Sequence, residues 1–290
     1  MTSAIQHLLK PHDRDLGGFS VRRLLPSLPK QAVGPFIFFD HMGPAVFGPG
    51  EGIDVRPHPH IGLATVTYLY EGAMMHRDSL GSLQRIEPGD VNWMTAGYGV
   101  VHSERTPDEL RATGHAMHGI QTWFALPQAE EDCEPGFWHY PAADLPLVEA
   151  PGMVLRVIIG NAFGKTSPVR TYGSTLYVAG EVADCVSFEI PAEHAERALY
   201  IASGSVEIDG RPLAAHQMAI LTPGSTPTLK ATEDTRLLLF GGAPLDGRRH
   251  IWWNFVSSSQ EKIEAAKQRW REDRFPAVPG ETERIPLPER

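Results

Sequence analysis

Short runs of β-branched and aromatic residues, separated by turn residues, dominate residues 53–126. The run ATVTYLY at 64–70 is typical of them, since the Gly72 that follows it suits a turn at the end of a strand. The runs VNWM, GVVHSE and HGIQTWFALP follow, and Pro88-Gly89 marks a turn before the first of these three. This spacing of short strands predicts an antiparallel sandwich or barrel.

The same alternation returns after a connection at 127–151 that is rich in proline and acidic residues. Asp209-Gly210 predicts a tight hairpin turn there, because glycine adopts a positive φ at little cost. The turn signals also repeat in order: Glu71-Gly72 and then PGDVNWMTAG correspond to Ser203-Gly204 and then AAHQMAILTPG. These observations indicate an internal duplication and an all-β fold.

One helix is predicted near the end of the chain. Ser258 and Glu261 form a capping box, and an apolar stripe follows at Ile263, Ala266 and Trp270. We expect this helix to pack against a barrel. Trp252 and Trp253, just before it, are expected in core or inter-domain packing and not in a stacking platform for bases.

The composition suits a globular protein with two domains, since 290 residues exceed what one core usually serves. A net charge of −9, without a long Lys/Arg tract, argues against direct nucleic-acid binding. The N-terminus lacks the apolar core of a secretory signal, and no run of about 18 apolar residues could span a bilayer. We therefore expect a cytoplasmic protein without membrane contact. With Cys133 and Cys185 as the only cysteines, nitrogen and oxygen ligands must hold any metal.

Two pairs of polar residues have the spacing of metal ligands. His58 and His60 are two residues apart, so both imidazoles point to the same side of an extended segment. His102 and Glu104 repeat this spacing. On neighbouring strands the two pairs would offer three neutral nitrogens and one carboxylate to a single ion, with up to two positions left open in octahedral coordination.

Each pair alone is common by chance, and the order of the surrounding glycines distinguishes them. The segment GIDVRPHPH at 52–60 has the form Gly-x5-His-x-His, and GVVHSE at 99–104 begins with Gly-x-x-His. In this order the two segments resemble the two motifs of the cupin superfamily. The usual cupin glutamate, four or five residues after the second histidine, is absent, because Ala64 and Thr65 occupy those places. Glu104 is expected to replace it.

With its glutamate in the second motif and not in the first, the chain resembles the pirin family in particular. Five further segments are similar to pirin sequences: GPFIFFDHMGP, RPHPHIGLATVTYLYEG, HRDSLG, PGDVNWMTAGYGVVHSE and HGIQTWFALP. The resemblance implies two cupin barrels, each a double-stranded β-helix or jelly roll, with a short C-terminal helix. We expect a metal-binding barrel at 1–150, a barrel without metal ligands at 151–250, and a helix and tail at 251–290 that pack on the barrels.

The family resemblance implies one iron, held by residues that match His58, His60, His102 and Glu104. Spacing gives a separate reason to expect an empty second barrel. His58 and His60 lie fourteen and twelve residues before Gly72, and the same offsets before Gly204 reach only apolar residues. His102 and Glu104 lie five and seven residues after Gly97, and the same offsets after Gly224 also reach only apolar residues. The four residues reached are Ile190, Ala192, Leu229 and Ala231.

Other polar residues near these motifs are expected in structural roles. The segment His76, Arg77 and Asp78 could lie at the mouth of the cavity, but a hydrated loop is the expected place. His115 and His118 are expected to be hydrogen-bonded structural histidines. Asp40 and His41 are expected either to orient a metal ligand or to close a turn.

A single carboxylate against a divalent cation leaves a net positive site, which favours an anionic oxygen such as a deprotonated phenol or enol. The resemblance implies quercetin 2,3-dioxygenase activity, in which O2 opens a flavonol ring and carbon monoxide is released. Glu104 would act as ligand and as the base for the hydroxyl proton. Fe(II) is the expected metal, although three His and one Glu also suit Mn, Co, Ni, Cu or Zn.

Two alternatives to a flavonol oxygenase stay open at this point. The family also includes proteins described as iron-dependent transcriptional cofactors or as modulators of metabolic enzymes, so the chain could be a regulator that binds a protein partner. The substrate could instead be an unrelated enol or dihydroxy acid. We expect a monomer in either case.

Overall fold

The computed structural model describes residues 3–15 and 19–289, and it confirms a mainly β fold with a helix near the C-terminus. The strands of the first half are β1 Ile5–Leu9, β2 His12–Asp15, β3 Ser20–Leu25, β4 Phe36–Phe47, β5 Asp54–His60, β6 Leu63–Glu71, β7 Met74–Asp78, β8 Leu83–Ile86, β9 Val91–Thr95, β10 Val100–Arg105, β11 His115–Ala125 and β12 Gly136–Tyr140. Those of the second half are β13 Leu147–Ala150, β14 Met153–Ala162, β15 Lys165–Thr166, β16 Thr175–Val182, β17 Ser187–Glu189, β18 Glu196–Ser203, β19 Ser205–Ile208, β20 Arg211–Ala214, β21 Met218–Leu221, β22 Thr228–Ala231, β23 Thr235–Gly242, β24 His250–Trp252 and β25 Phe255–Ser257. The helices are α1 Asp108–Thr113 and α2 Gln260–Arg271, and short 3-10 turns lie at Gln128–Glu130 and Ala142–Asp144.

The chain forms two compact units, and neither is a continuous segment. The unit that we call the histidine unit comprises Arg14–Val21, His41–Ala142 and Leu245–Arg290. The other, the apolar unit, comprises Met1–Asp13, Arg22–Asp40 and Ala143–Pro244. The continuous domain ranges expected from the sequence stay a prediction.

The apolar unit has a sheet of order β1-β21-β18-β23-β16-β14-β13, with β15 beside β14, and a second sheet of order β17-β22-β19-β20. Alternate side chains of both sheets meet in one apolar core, because side chains on a strand point to opposite faces in turn. Ile190, Leu229 and Ala231, three of the positions reached by counting from the glycines, belong to this core.

The predicted hairpin at Asp209-Gly210 is confirmed. These two residues join β19 to β20, whose register runs from Ser205 opposite Ala214 to Ile208 opposite Arg211. Both have a positive φ, 49° for Asp209 and 78° for Gly210. That combination defines the two-residue turn whose twist matches the flanking strands.

The histidine unit has a sheet of order β5-β10-β7-β8 and a larger sheet in which β12, β9, β6, β11 and β4 are neighbours. Apolar side chains from both sheets pack together between them. They include Met42, Leu69, Met74, Ile86 and Met117. The inward-pointing side chains of β5, β7 and β10 therefore lie in a buried interior.

The predicted helix is present as α2, but its capping residue is Ser259 and not Ser258. The hydroxyl of Ser259 accepts the backbone N–H of Lys262. Ser258 contacts another element, since its own N–H and hydroxyl both donate to the carboxylate of Glu131. The short helix α1 is an element that the sequence pattern did not predict.

The apolar stripe of α2 packs within the histidine unit as expected. Ile263, Ala266 and Trp270 join a buried cluster with Phe255 of β25 and with Ile61, which follows His60. Trp252 and Trp253 pack against the same cluster, so their predicted role in core packing is confirmed. Helix α2 therefore ties the C-terminal segment to the strand that carries His58 and His60.

Glu131 forms a buried ion pair that holds the same segment. Arg249 Nε lies 3.0 Å from Glu131 Oε1, and both side chains are about 2% exposed or less. The carboxylate also accepts the hydroxyl of Ser257.

Within residues 3–15 and 19–289, no helix has the length and hydrophobicity needed to cross a membrane.

Glu131→Ala should lower the free energy of unfolding by about 3–5 kcal/mol, because the buried Arg249 would lose its buried carboxylate partner and keep only the half-exposed Asp246. Urea unfolding followed by fluorescence measures the change. Asp132→Ala is the matched control, since the neighbouring Asp132 carboxylate is 64% exposed and its removal should have a small effect. Equal effects of the two substitutions would contradict this account of the pair.

Candidate metal centre

Strands β5 and β10 bring three histidines together, as the spacing predicted. The two strands pair antiparallel with His102 opposite His58, and His60 lies two residues further along β5 on the same face. All three side chains are buried. One ring nitrogen from each lies within 4.8 Å of the other two.

Backbone carbonyls fix the proton positions of two of these rings. His58 Nδ1 lies 2.9 Å from the carbonyl oxygen of Arg56, and His60 Nδ1 lies 3.1 Å from that of Asn254. Because a carbonyl oxygen can only accept, both rings carry their proton on Nδ1 and keep a lone pair on Nε2. His60 Nε2 is 3.1 Å from His102 Nε2, which is close enough for one proton or one metal ion to lie between the two rings.

Burial also keeps the three rings neutral. It lowers the pKa of His58 to about 4, against the opposing effect of the Arg56 carbonyl and with a smaller contribution from His76. Burial and the neighbouring imidazoles hold the pKa of His60 and of His102 well below the usual value. Neutral imidazoles with closely spaced ring nitrogens are compatible with a divalent metal ion.

Glu104 lies on β10 but outside the group of three histidines that share one centre. The ladder with β5 shifts register between His102 and Glu104, so that Glu104 faces Val55. Glu104 is 8% exposed, and burial raises the pKa of its carboxyl group against the effects of His76, Gln121 and Thr67. Its role as the fourth ligand stays a prediction.

Gln121 and Thr67 orient the carboxylate of Glu104. Neither residue belongs to a motif that marks the site in the sequence. They lie opposite each other on β11 and β6. The Thr67 hydroxyl donates to Gln121 Oε1 at 2.8 Å, which turns the amide so that Nε2 donates to Glu104 Oε1 at 3.4 Å. Their cross-strand spacing in the ATVTYLY and HGIQTWF runs was the available signal.

His76 and Asp78 are buried, so their expected place in a hydrated loop is wrong. Both lie on β7, which pairs with β10 so that Asp78 is opposite His102. Alternate residues of β7 point inward, and Arg77, which lies between them, points the other way and is partly exposed. The carboxylate of Asp78 lies 2.9 Å from His76 Nε2.

The remaining candidates fill structural roles. The rings of His41 and His118 are buried and stacked, with their Nε2 atoms 2.8 Å apart. Asp40 accepts two hydrogen bonds from Arg23, both at 2.8 Å. His115 stacks on Phe47. His118 is hydrogen-bonded as expected, and His115 Nε2 lies 3.4 Å from the hydroxyl oxygen of Thr106.

Comparisons with known proteins agree with the site and the fold. Residues 18–124 match the family description Pirin, and residues 177–276 match the Pirin C-terminal cupin domain. A pirin-like protein of Caulobacter vibrioides is 51% identical, over 95% of this chain and 96% of its own length. The crystal structure of a quercetin 2,3-dioxygenase from Acinetobacter baumannii has a TM-score of 0.91 at 36% identity, covering 98% of this chain and 96% of that one.

A more distant structure shares the fold. It is that of the bacterial pirin YhhW of Escherichia coli, solved in complex with nickel(II), with a TM-score of 0.64. It is 20% identical and covers 82% of this chain and 99% of that one.

The metal-free protein should lose stability as the pH falls from about 6.5 toward 4. The folded-state pKa of His58 lies below its unfolded value, so the unfolded chain binds the additional proton in this range. For His58 alone this amounts to about 2 kcal/mol between pH 7.5 and pH 5. Urea unfolding of chelator-treated protein at the two pH values measures the loss.

His58→Asn should reduce this pH dependence by the contribution of His58. His12→Asn is the matched control, because His12 is exposed on β2 and its removal should leave the pH dependence unchanged. The same pH dependence in wild type and His58→Asn would contradict the prediction.

Proposed function

The chain belongs to the pirin family, and on that premise we propose that it is a metal-dependent oxygenase of the quercetin 2,3-dioxygenase type. The substrate would be a flavonol or a related enol, with O2 as the second substrate. The observation that carries the proposal is a buried site in which one ring nitrogen from each of three histidines lies within 4.8 Å of the other two. The similarity to the Acinetobacter baumannii enzyme along nearly the whole chain supports it.

We assign the metal to His58, His60, His102 and Glu104, with Fe(II) as the ion. A ferrous ion held there would supply Lewis acidity toward the 3-oxygen of the flavonol and redox capacity toward O2. The three imidazoles contribute no charge and Glu104 contributes one negative charge, so the occupied site keeps a net positive charge. This charge favours the deprotonated form of the substrate.

We assign the removal of the hydroxyl proton to the Glu104 carboxylate. Gln121 donates to Glu104 Oε1, and Thr67 holds the Gln121 amide in the orientation that allows this. Such hydrogen bonds fix the direction of the carboxylate, which a general base needs before it can meet the substrate hydroxyl. The carboxylate is also shielded from bulk water, since Glu104 is 8% exposed.

Anaerobic reconstitution with Fe(II), followed by exposure to quercetin and O2, tests the proposal. We expect oxygen uptake and an equal release of carbon monoxide. Metal content must be measured on the same sample. Fully metallated protein that forms no product would reject the flavonol oxygenase and favour the regulatory alternative.

Glu104→Gln should lower the kcat for quercetin by at least about 100-fold, because the amide keeps the shape of the side chain but cannot accept the proton. Steady-state oxygen uptake measures kcat, and elemental analysis shows how much metal the variant retains. Glu109→Gln is the matched control, since that carboxylate is 64% exposed on α1. A Glu104→Gln protein with full metal content and full turnover would rule out this role for Glu104.

A further inference from the structure

We propose that Asp78 and His76 are positioning residues that hold the proton of His102 on Nδ1, so that His102 Nε2 is available to the metal. This inference rests on the metal site of the proposed function, but it does not depend on the reaction carried out there. It assigns a role to two buried residues that are not metal ligands.

Two backbone N–H groups fix the orientation of the Asp78 carboxylate. Its Oδ1 accepts the backbone N–H groups of Leu80 at 2.9 Å and of Ser82 at 3.0 Å. These two bonds come from the turn after β7 and fix which oxygen faces the protein backbone. The second oxygen, Oδ2, is then directed at His76 Nε2, 2.9 Å away.

The carboxylate then determines the proton position on His76. A carboxylate oxygen can only accept, so a neutral His76 carries its proton on Nε2 and has a lone pair on Nδ1. The Phe137 ring stacks on the imidazole, with centroids 4.3 Å apart and planes 15° apart, which fixes the plane of the ring. His76 Nδ1 lies 3.4 Å from His102 Nδ1.

The last proton position is that of His102. When a metal ion occupies the centre, no proton can lie between His102 Nε2 and His60 Nε2, so the proton of His102 must be on Nδ1, where His76 Nδ1 accepts it. His58 and His60 reach the same state by donating to backbone carbonyls. His102 therefore differs from the other two histidines, because its acceptor is a side chain. A substitution at His76 or Asp78 can change which ring nitrogen of His102 carries the proton.

Asp78→Asn provides the test, because the backbone determines how the new amide must lie. The N–H groups of Leu80 and Ser82 require the amide oxygen on their side, so the NH2 group faces His76 Nε2. His76 then accepts at Nε2, its proton moves to Nδ1, and His102 can no longer donate there. We expect the affinity for Zn(II), measured by chelator competition, to fall by about 10–100-fold.

Asp90→Asn is a matched control in the same unit. The Asp90 carboxylate also accepts two backbone N–H groups, from Glu87 at 3.0 Å and Ala142 at 2.8 Å, and lies 3.7 Å from His139 Nε2. His139 contacts Asn92 and not a proposed metal ligand. This variant should lose stability without a change in Zn(II) affinity.

A second substitution separates positioning from a general structural role. In His76→Asn the amide oxygen takes roughly the place of Nδ1 and can accept from His102 without help from residue 78. The double variant Asp78→Asn/His76→Asn should therefore bind Zn(II) more tightly than Asp78→Asn alone. A double variant that binds as weakly as the single one, or more weakly, would overturn the proposal.

Nitrogen-15 NMR of the zinc-loaded protein reads the proton positions directly. We expect the proton on Nε2 of His76 and on Nδ1 of His102 in wild type, and on Nδ1 of His76 in Asp78→Asn. A wild-type His76 protonated on Nδ1, or unchanged zinc affinity in Asp78→Asn, would overturn the inference. A wild-type chain that binds no metal would overturn the proposed function as well, whereas metal binding without quercetin turnover would overturn the oxygenase alone.

Discussion

Three buried imidazoles can bind one divalent ion only if no ring carries a positive charge and no proton lies between the rings. Burial satisfies the first condition, since it lowers the pKa of each histidine. An acceptor at each Nδ1 satisfies the second, because it holds the proton on the outer nitrogen. In the histidine unit, the contacts around His58, His60 and His102 provide these acceptors.

The acceptors come from very different distances along the chain. Arg56 is two residues from His58, whereas Asn254 is 194 residues from His60. Asn254 stands in the turn between β24 and β25, and that hairpin is held by α2 and by the carboxylate of Glu131. The C-terminal segment therefore helps to position His60.

The end of the chain reinforces the same two strands. Glu281 accepts from the hydroxyl of Ser103 and from Arg105, the residues on either side of Glu104. The backbone N–H of Ile285 donates to the carbonyl of Pro57, next to His58. Since a strand residue points opposite to its neighbours, the tail contacts β5 and β10 on the face away from the histidines. This arrangement stabilises the ligand strands without occupying the site.

The sequence was sufficient for what depends on spacing and insufficient for what depends on long-range pairing. The two-residue period placed His58, His60 and His102 together, and the turn signals predicted the β19–β20 hairpin. The sequence of β7 does not show that the strand lies beside β10 within the sheet, so polar HRD residues were expected in water. A backbone carbonyl such as that of Asn254 has no signature at all, because every residue carries one.

The two units show why the fold alone does not determine the chemistry. Both have paired antiparallel sheets around a buried interior, and one fills the counted positions with Ile190, Leu229 and Ala231. Apolar side chains need only space, whereas a buried imidazole also needs a partner for each ring nitrogen. Replacing those apolar residues with histidines would therefore not create a second centre. The acceptors, which come from the same strand, from a neighbouring strand and from a distant hairpin, would have to be built as well.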